Sequence, residues 1–175
     1  MARVAFRAGE MSEAAAYAEE AIRLQEDAAT WQLLGRLRLW LRRTDADDAF
    51  RRAHRLNPSR FAIPYRVKHK QFVHLAEVAL AAIPEPFQDR LGNTLIVVDD
   101  LPRLEAVREG EDPDLLGLYE GATALEHGLP ERIVLYQRNH ENICADAAVL
   151  EREVAETMRH EIGHHFGIAE DDLPY

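Results

Sequence analysis

The first 58 residues carry apolar side chains at helical spacing, separated by short polar turns. This pattern predicts one helix from Ser12 to about Leu24 and a second from Trp31 to Arg42. Asp45 is a good N-cap for a third helix, which we expect to end near Leu56 because a proline follows two residues later. The N-terminal part of the chain is therefore predicted to be all-α.

These predicted helices also repeat. The stretch Trp31-x-x-Leu34-Gly35 and the residues after it resemble a tetratricopeptide repeat with one residue missing between its two helices. The later positions of this pattern are Ala46, Phe50, Ala53 and Pro58. The match covers residues 1–58, roughly one and a half repeats, whereas about three are usually needed for stability. We therefore expect the rest of the chain or another chain to cover the apolar face; an unrelated helical hairpin is the alternative.

A different pattern follows residues 59–67, which we interpret as a linker. An amphipathic stretch predicts a helix over Phe72–Ile83, ended by prolines. The β-branched run Thr94–Val98 predicts a buried strand, and Leu115–Tyr119 and Ile133–Tyr136 predict two more. A last helix is expected from about Asp146 to Phe166. Residues 68–175 are therefore predicted to form an α+β domain.

The last predicted helix contains the candidate chemistry, an HExxH motif at residues 160–164. Residues four apart on an α-helix are separated by about 40° around the axis and about 6 Å along it. The imidazoles of His160 and His164 can therefore reach one ion from adjacent turns. Glu161 lies about 100° from His160, where it can accept a proton from a water molecule that the ion activates. An apolar stripe lies opposite His160: Leu150, Val154, Met158, Ile162 and Phe166.

A third metal ligand is expected just beyond this helix. Gly167 predicts a helix end in a sharp turn, which can fold residue 170 back toward the ion. Glu170 completes the pattern HExxHxxGxxE, whose last position is a third histidine ligand in metzincins. Asp171 and Asp172 are the alternatives to Glu170. One Zn²⁺ ion is the expected cofactor, because it accepts two histidines, one carboxylate and water.

Four further residues are candidates to support this site. His165 follows His164, the second predicted metal ligand. It is expected to contact one of the metal-binding side chains or the substrate, with an ordinary surface position as the alternative. Tyr119 and Tyr136, together with His165 and Tyr175, are candidates for the donor that stabilises an oxyanion. The predicted strand at 115–119 is expected to pair with an extended substrate along its edge.

Three segments of the predicted domain together resemble a known family. Leu115–Gly121 (LLGLYEG), Leu129–Tyr136 (LPERIVLY) and His160–Gly167 (HEIGHHFG) are similar to segments of the small bacterial zinc metallopeptidases called minimal zincins. The resemblance covers about residues 68–173. It implies a small α+β fold with a mixed sheet above the active-site helix, and it names no substrate. The family usually has Asp where this chain has Glu170, one methylene longer.

Composition and charge narrow the classes of partner. The chain has 175 residues with no run of 18 apolar ones, so we expect no membrane span. Residues 1–70 carry 14 Lys and Arg against 9 Asp and Glu, whereas residues 71–175 carry 7 against 22. The acidic half argues against nucleic acid and favours basic peptides as substrates. With no signal peptide and Cys144 as the lone cysteine, we expect a cytoplasmic protein.

The function that the sequence favours is zinc-dependent hydrolysis of a peptide or protein, with Glu161 as general base. The alternative is a protein-interaction module, in which the tetratricopeptide-like helices bind a partner and the metal site is structural or vestigial. A structural zinc site is usually closed by four protein ligands, so an open coordination position would favour the enzyme. The sequence leaves open a homo-oligomer formed through the helices.

Overall fold

The structure, a computed structural model, describes residues 1–92, 94–121 and 131–167. The N-terminal helices are α1 (Ala2–Arg7), α2 (Met11–Leu24), α3 (Ala28–Trp40) and α4 (Ala46–Leu56). The next elements are α5 (His69–Ala81), α6 (Glu85–Leu91), β1 (Leu95–Asp99), α7 (Leu104–Arg108), β2 (Gly117–Glu120), β3 (Arg132–Tyr136), α8 (Gln137–Ile143) and α9 (Ala147–His165). The predicted α+β class with a small sheet is confirmed, and the tetratricopeptide-like character of α1–α4 stays a prediction.

Helices α1–α3 share an apolar cluster of their own, and α4 packs on α3 beside it. The two helices are in close contact at Gly35, where an added methyl group would lie 2.7 Å from the Phe50 ring. Val107 of α7 is buried in the cluster of α1–α3, and so the later part of the chain covers part of the apolar surface of these helices. No helix in the described ranges is long and apolar enough to cross a membrane.

The three strands form one mixed sheet in the order β1-β3-β2. β1 runs parallel to β3, and β2 runs antiparallel to it. Ile133 and Leu135 of β3 pack in one apolar cluster with α9 and α5. Because side chains alternate along a strand, Val134 and Tyr136 point to the opposite face. Among the described residues β2 is an edge strand, and its side away from β3 is called the open edge below.

Helix α9 lies against the sheet with the face that its apolar spacing predicts. Its N-cap residue Asp146 accepts a hydrogen bond from the Val149 N–H at 2.9 Å. The four buried residues of the stripe are at most 4 % exposed: Leu150, Val154, Met158 and Ile162. Gly167 follows the helix with φ of +73°, a backbone conformation that favours glycine. The opposite face of α9, which carries His160 and His164, is therefore turned away from the apolar cluster.

Four short helices, α1, α6, α7 and α8, are absent from the elements predicted above. In α8 the residues that are buried are polar: Gln137, Asn139, His140, Glu141 and Asn142. An amphipathic pattern cannot reveal a helix whose inward face is polar. The predicted cap at Asp45 is wrong in its chemistry: the residue stands at the N-cap of α4 without a side-chain cap, and its carboxylate binds Arg43 instead.

Candidate metal centre

Helix α9 turns His160 and His164 toward one point. Their Nε2 atoms are 3.0 Å apart, and their rings meet edge to face with centroids 4.6 Å apart. Two ligands each about 2.1 Å from a tetrahedral zinc ion are about 3.4 Å from each other. Both nitrogens can therefore reach one ion after a shift of a few tenths of an ångström. The donor chemistry and the spacing fit a divalent ion such as Zn²⁺.

The structure leaves the third ligand as a prediction. Within residues 1–92, 94–121 and 131–167, no group of three His, Cys, Asp or Glu side chains is arranged to hold a metal. Glu170 and its alternatives Asp171 and Asp172 lie outside the described residues, as does Tyr175. The spacing of the sequence pattern remains the argument for Glu170.

Glu161 lies where α9 passes under β2. Its side chain is buried, and its Oε2 accepts a hydrogen bond of 2.8 Å from the backbone N–H of Tyr119. The Tyr136 N–H donates to the Leu116 carbonyl, and hydrogen-bonded pairs alternate along antiparallel strands. The N–H groups of Gly117 and Tyr119 therefore point away from β3. The Glu161 carboxylate thus reaches the open edge of β2, beside the two histidines.

A cleft of about 450 Å³ extends along α9 from His160 and Glu161. The chain that leads into β2, residues 112–117, forms one wall, and α9 from residue 153 onward forms the other. The side chains charged at neutral pH that line its described part, apart from Glu161, are Asp112, Asp114, Glu153, Glu156 and Arg159. Burial raises the pKa of Asp114 above its usual value, although the Arg36 guanidinium opposes this. The cleft can accept an extended peptide between walls that carry mostly acidic side chains.

Of the three supporting candidates that the structure describes, His165 and Tyr119 lie together. Their rings meet edge to face at 5.3 Å, and the His165 Nδ1 is 3.1 Å from Oε2 of Glu131. Burial, followed by the charge of Glu131, raises the pKa of the Tyr119 hydroxyl. Tyr136 points to the sheet face opposite α9, where burial raises its pKa to about 12. Tyr119 therefore contacts His165 at the end of α9, whereas Tyr136 lies on the other side of the sheet.

Residues that the sequence analysis did not select also shape this site. At Gly117 a methyl group would lie 2.7 Å from Cγ2 of Thr157 and 2.9 Å from Cγ of Glu161. A glycine inside a predicted strand is a known sign of a close backbone approach, so this residue could have been noticed. His140 is fully buried, and its Nε2 is 3.0 Å from Oγ1 of Thr157. Burial lowers the pKa of His140 to about 4, so its ring is neutral at pH 7.

A small mixed sheet thus lies over the helix that carries HExxH. Residues 91–175 match the family described as zincin-like metallopeptidase. The match spans slightly less than half of the chain and includes the three strands and the histidine motif. No curated protein matches the chain. The matched part is thus similar to zincin-like metallopeptidases, and α1–α5 lie outside the match.

Proposed function

We propose that this protein is a zinc-dependent peptidase that uses Glu161 as general base. The observation that carries the proposal is that the His160 and His164 Nε2 atoms lie 3.0 Å apart on the helix whose Glu161 carboxylate reaches the open edge of β2. An edge strand offers unpaired backbone groups to an extended peptide. The match of residues 91–175 to zincin-like metallopeptidases supports the same class of reaction.

His160, His164 and Glu170 would hold one Zn²⁺ ion, with Asp171 and Asp172 as the alternatives to Glu170. When bound, this ion would supply Lewis-acid chemistry that makes a water molecule acidic and polarises a carbonyl group. Glu161 is placed beside the histidines, so its carboxylate takes the proton of the attacking water and returns it to the leaving amine. Tyr119 and His165 are the described candidates for the oxyanion donor.

The substrate would bind as an extended strand on the open edge of β2. Antiparallel pairing is the more stable arrangement, and it makes the peptide run from Glu120 toward Gly117 and on toward residue 112. The part of the peptide beyond the scissile bond then lies between residues 112–116 and α9, where the acidic side chains of the cleft are found. We therefore expect a preference for basic residues on the C-terminal side of the scissile bond.

The test compares the full chain with its Glu161→Gln variant. We expect wild-type protein to bind one Zn²⁺ ion per chain, measured by elemental analysis, and to cleave peptides in a denatured protein mixture, read by mass spectrometry. Loss of a general base usually reduces turnover roughly 10²- to 10⁴-fold, so Glu161→Gln should bind zinc and lose cleavage to that extent. His164→Ala should lose both zinc and cleavage.

The matched control is Glu151→Gln, the same change on the exposed face of α9. It should leave zinc binding and cleavage at wild-type levels. Cleavage that survives in Glu161→Gln would show that the general base is wrongly assigned. Zinc binding by wild-type protein with no cleavage of any peptide would contradict the peptidase and favour the interaction module.

A further inference from the structure

β2 and α9 approach each other at Gly117 more closely than any other residue would allow. A Cβ there would meet Thr157 at 2.7 Å and the Glu161 Oε1 at 3.0 Å. The φ angle of Gly117 is not positive, so conformational freedom does not explain the glycine. The missing side chain does, because it lets the strand backbone rest directly on the helix that carries HExxH.

The close approach has a direct consequence for Glu161. It brings the Tyr119 N–H, two residues along β2, within 2.8 Å of the Glu161 Oε2. This N–H points away from β3, so the sheet itself does not use it. A hydrogen bond to a carboxylate is stronger than one between neutral groups, and it fixes the carboxylate at the edge of the strand.

On the helix side of this contact, Thr157 is hydrogen-bonded to His140 of α8. The His140 Nδ1 donates to the Tyr136 carbonyl at 3.0 Å, because a carbonyl can only accept. In the neutral ring Nε2 is then an acceptor, and it accepts from the Thr157 hydroxyl at 3.0 Å. This bond holds Thr157 against α8 and opposes its movement away from Gly117. A larger residue at 117 must therefore push β2 outward and lengthen the bond from Tyr119 to Glu161.

We propose that Gly117 and the backbone N–H of Tyr119 are a positioning device for Glu161. Gly117 lets β2 lie against α9, and the Tyr119 N–H holds the carboxylate at the place where a peptide strand would pair. The purpose of the device rests on the proposed function, whereas the contact itself needs neither metal nor substrate. Because the Tyr119 N–H is committed to Glu161, peptide pairing would use the N–H and carbonyl of Gly117 and the carbonyl of Tyr119.

Amide hydrogen exchange, followed by NMR on the full chain, tests the contact without any assay of activity. The Tyr119 amide should be protected although it points to the open edge. Glu161→Ala and Gly117→Ala should each reduce this protection about tenfold or more. The Leu118 amide, which bonds within the sheet, should keep its protection. Glu161→Gln retains an acceptor oxygen and should restore most of the protection lost in Glu161→Ala.

Gly35→Ala is the matched control, since its methyl group would meet Phe50 at the same 2.7 Å, in the contact of α3 with α4. It should lower thermal stability and leave exchange at Tyr119 unchanged. An unprotected Tyr119 amide in wild-type protein, or protection that persists in both alanine variants, would overturn the proposal. Should Gly117→Ala not fold, Glu161→Ala decides alone. Because exchange does not depend on catalysis, a failure here is distinct from a failure of the cleavage assay.

Discussion

Two glutamates are buried in the same part of the molecule, and their surroundings differ. Glu141 on α8 is 0 % exposed and Glu161 on α9 is 6 % exposed. The Glu141 carboxylate accepts hydrogen bonds from four groups: the guanidinium groups of Arg66 and Arg138, the Gln137 amide and the Val67 N–H. Glu161 accepts from the Tyr119 N–H and lines a cleft beside two histidines. Burial of a carboxylate alone therefore does not mark a site of chemistry.

The two carboxylates differ in the basic side chains that lie near them. Arginine keeps its charge at every physiological pH, and Arg66 also binds Asp47 on α4. The Glu141 cluster, meaning Glu141 with Arg66, Arg138 and Gln137, thus ties the N-terminal helices and the linker to α8. Histidine can be neutral and bind a metal, and the cleft lets a ligand reach His160 and Glu161. We infer a structural role for Glu141 and a chemical role for Glu161.

The largest effect expected from this comparison is on stability. Removing one partner of a buried ion pair costs about 3 to 5 kcal/mol, because the other charge stays uncompensated. Glu141→Gln should therefore lower the free energy of unfolding by about that amount in denaturant titrations. Cleavage per folded molecule should be unchanged, whereas Glu161→Gln should show the reverse pattern. Two variants that are equally destabilised, or equally inactive, would remove the distinction between the glutamates.

A second prediction concerns His140, which precedes Glu141 on α8 and contacts Thr157 on α9. Burial lowers its pKa to about 4 in the folded chain, whereas an unfolded chain has the ordinary histidine pKa of about 6.5. Below that pH the unfolded chain therefore binds a proton that the folded chain does not. Burial of the neutral His140 ring therefore costs no stability above about pH 6.5. Below that pH the free energy of unfolding falls, by about 2 to 3 kcal/mol at pH 4. His140→Gln should flatten the dependence of unfolding on pH in this window. The exposed His74→Gln should retain it; two identical curves for wild type and His140→Gln would contradict the prediction.

The sequence predicted one of these regions much better than the other. The helix around Glu161 could be recognised because its apolar stripe and its histidines both follow a period near 3.6 residues. Helix α8 could not, because its inward residues are polar and their partners come from distant segments such as Arg66. The bond between Tyr119 and Glu161 joins residues 42 apart through a backbone N–H, which residue identity does not encode. In the sequence, the glycine at position 117 is the one sign of that close contact.

The smallest effect concerns Asp114, a carboxylate whose surroundings are intermediate between those of the two glutamates. It lines the cleft, as Glu161 does, and it pairs with an arginine, as Glu141 does: the Arg36 Nη1 of α3 is 2.6 Å from its Oδ2. The two side chains are 31 % and 39 % exposed, so the pair should contribute less than about 1 kcal/mol to stability.

Arg36→Gln should therefore lower the free energy of unfolding only slightly, and less at high salt because exposed charges are screened. It also removes the cation that opposes the raised pKa of Asp114, so that pKa should rise further. A cycle with Asp114→Asn and the double variant measures the coupling between the two residues. A coupling as large as the stability loss expected for Glu141→Gln, about 3 to 5 kcal/mol, would mean that the wall of the cleft is as firmly anchored as the linker. A small coupling in stability, together with a KM for basic peptides that Arg36→Gln changes only when Asp114 is present, would show that Arg36 acts on the cleft through the charge of Asp114.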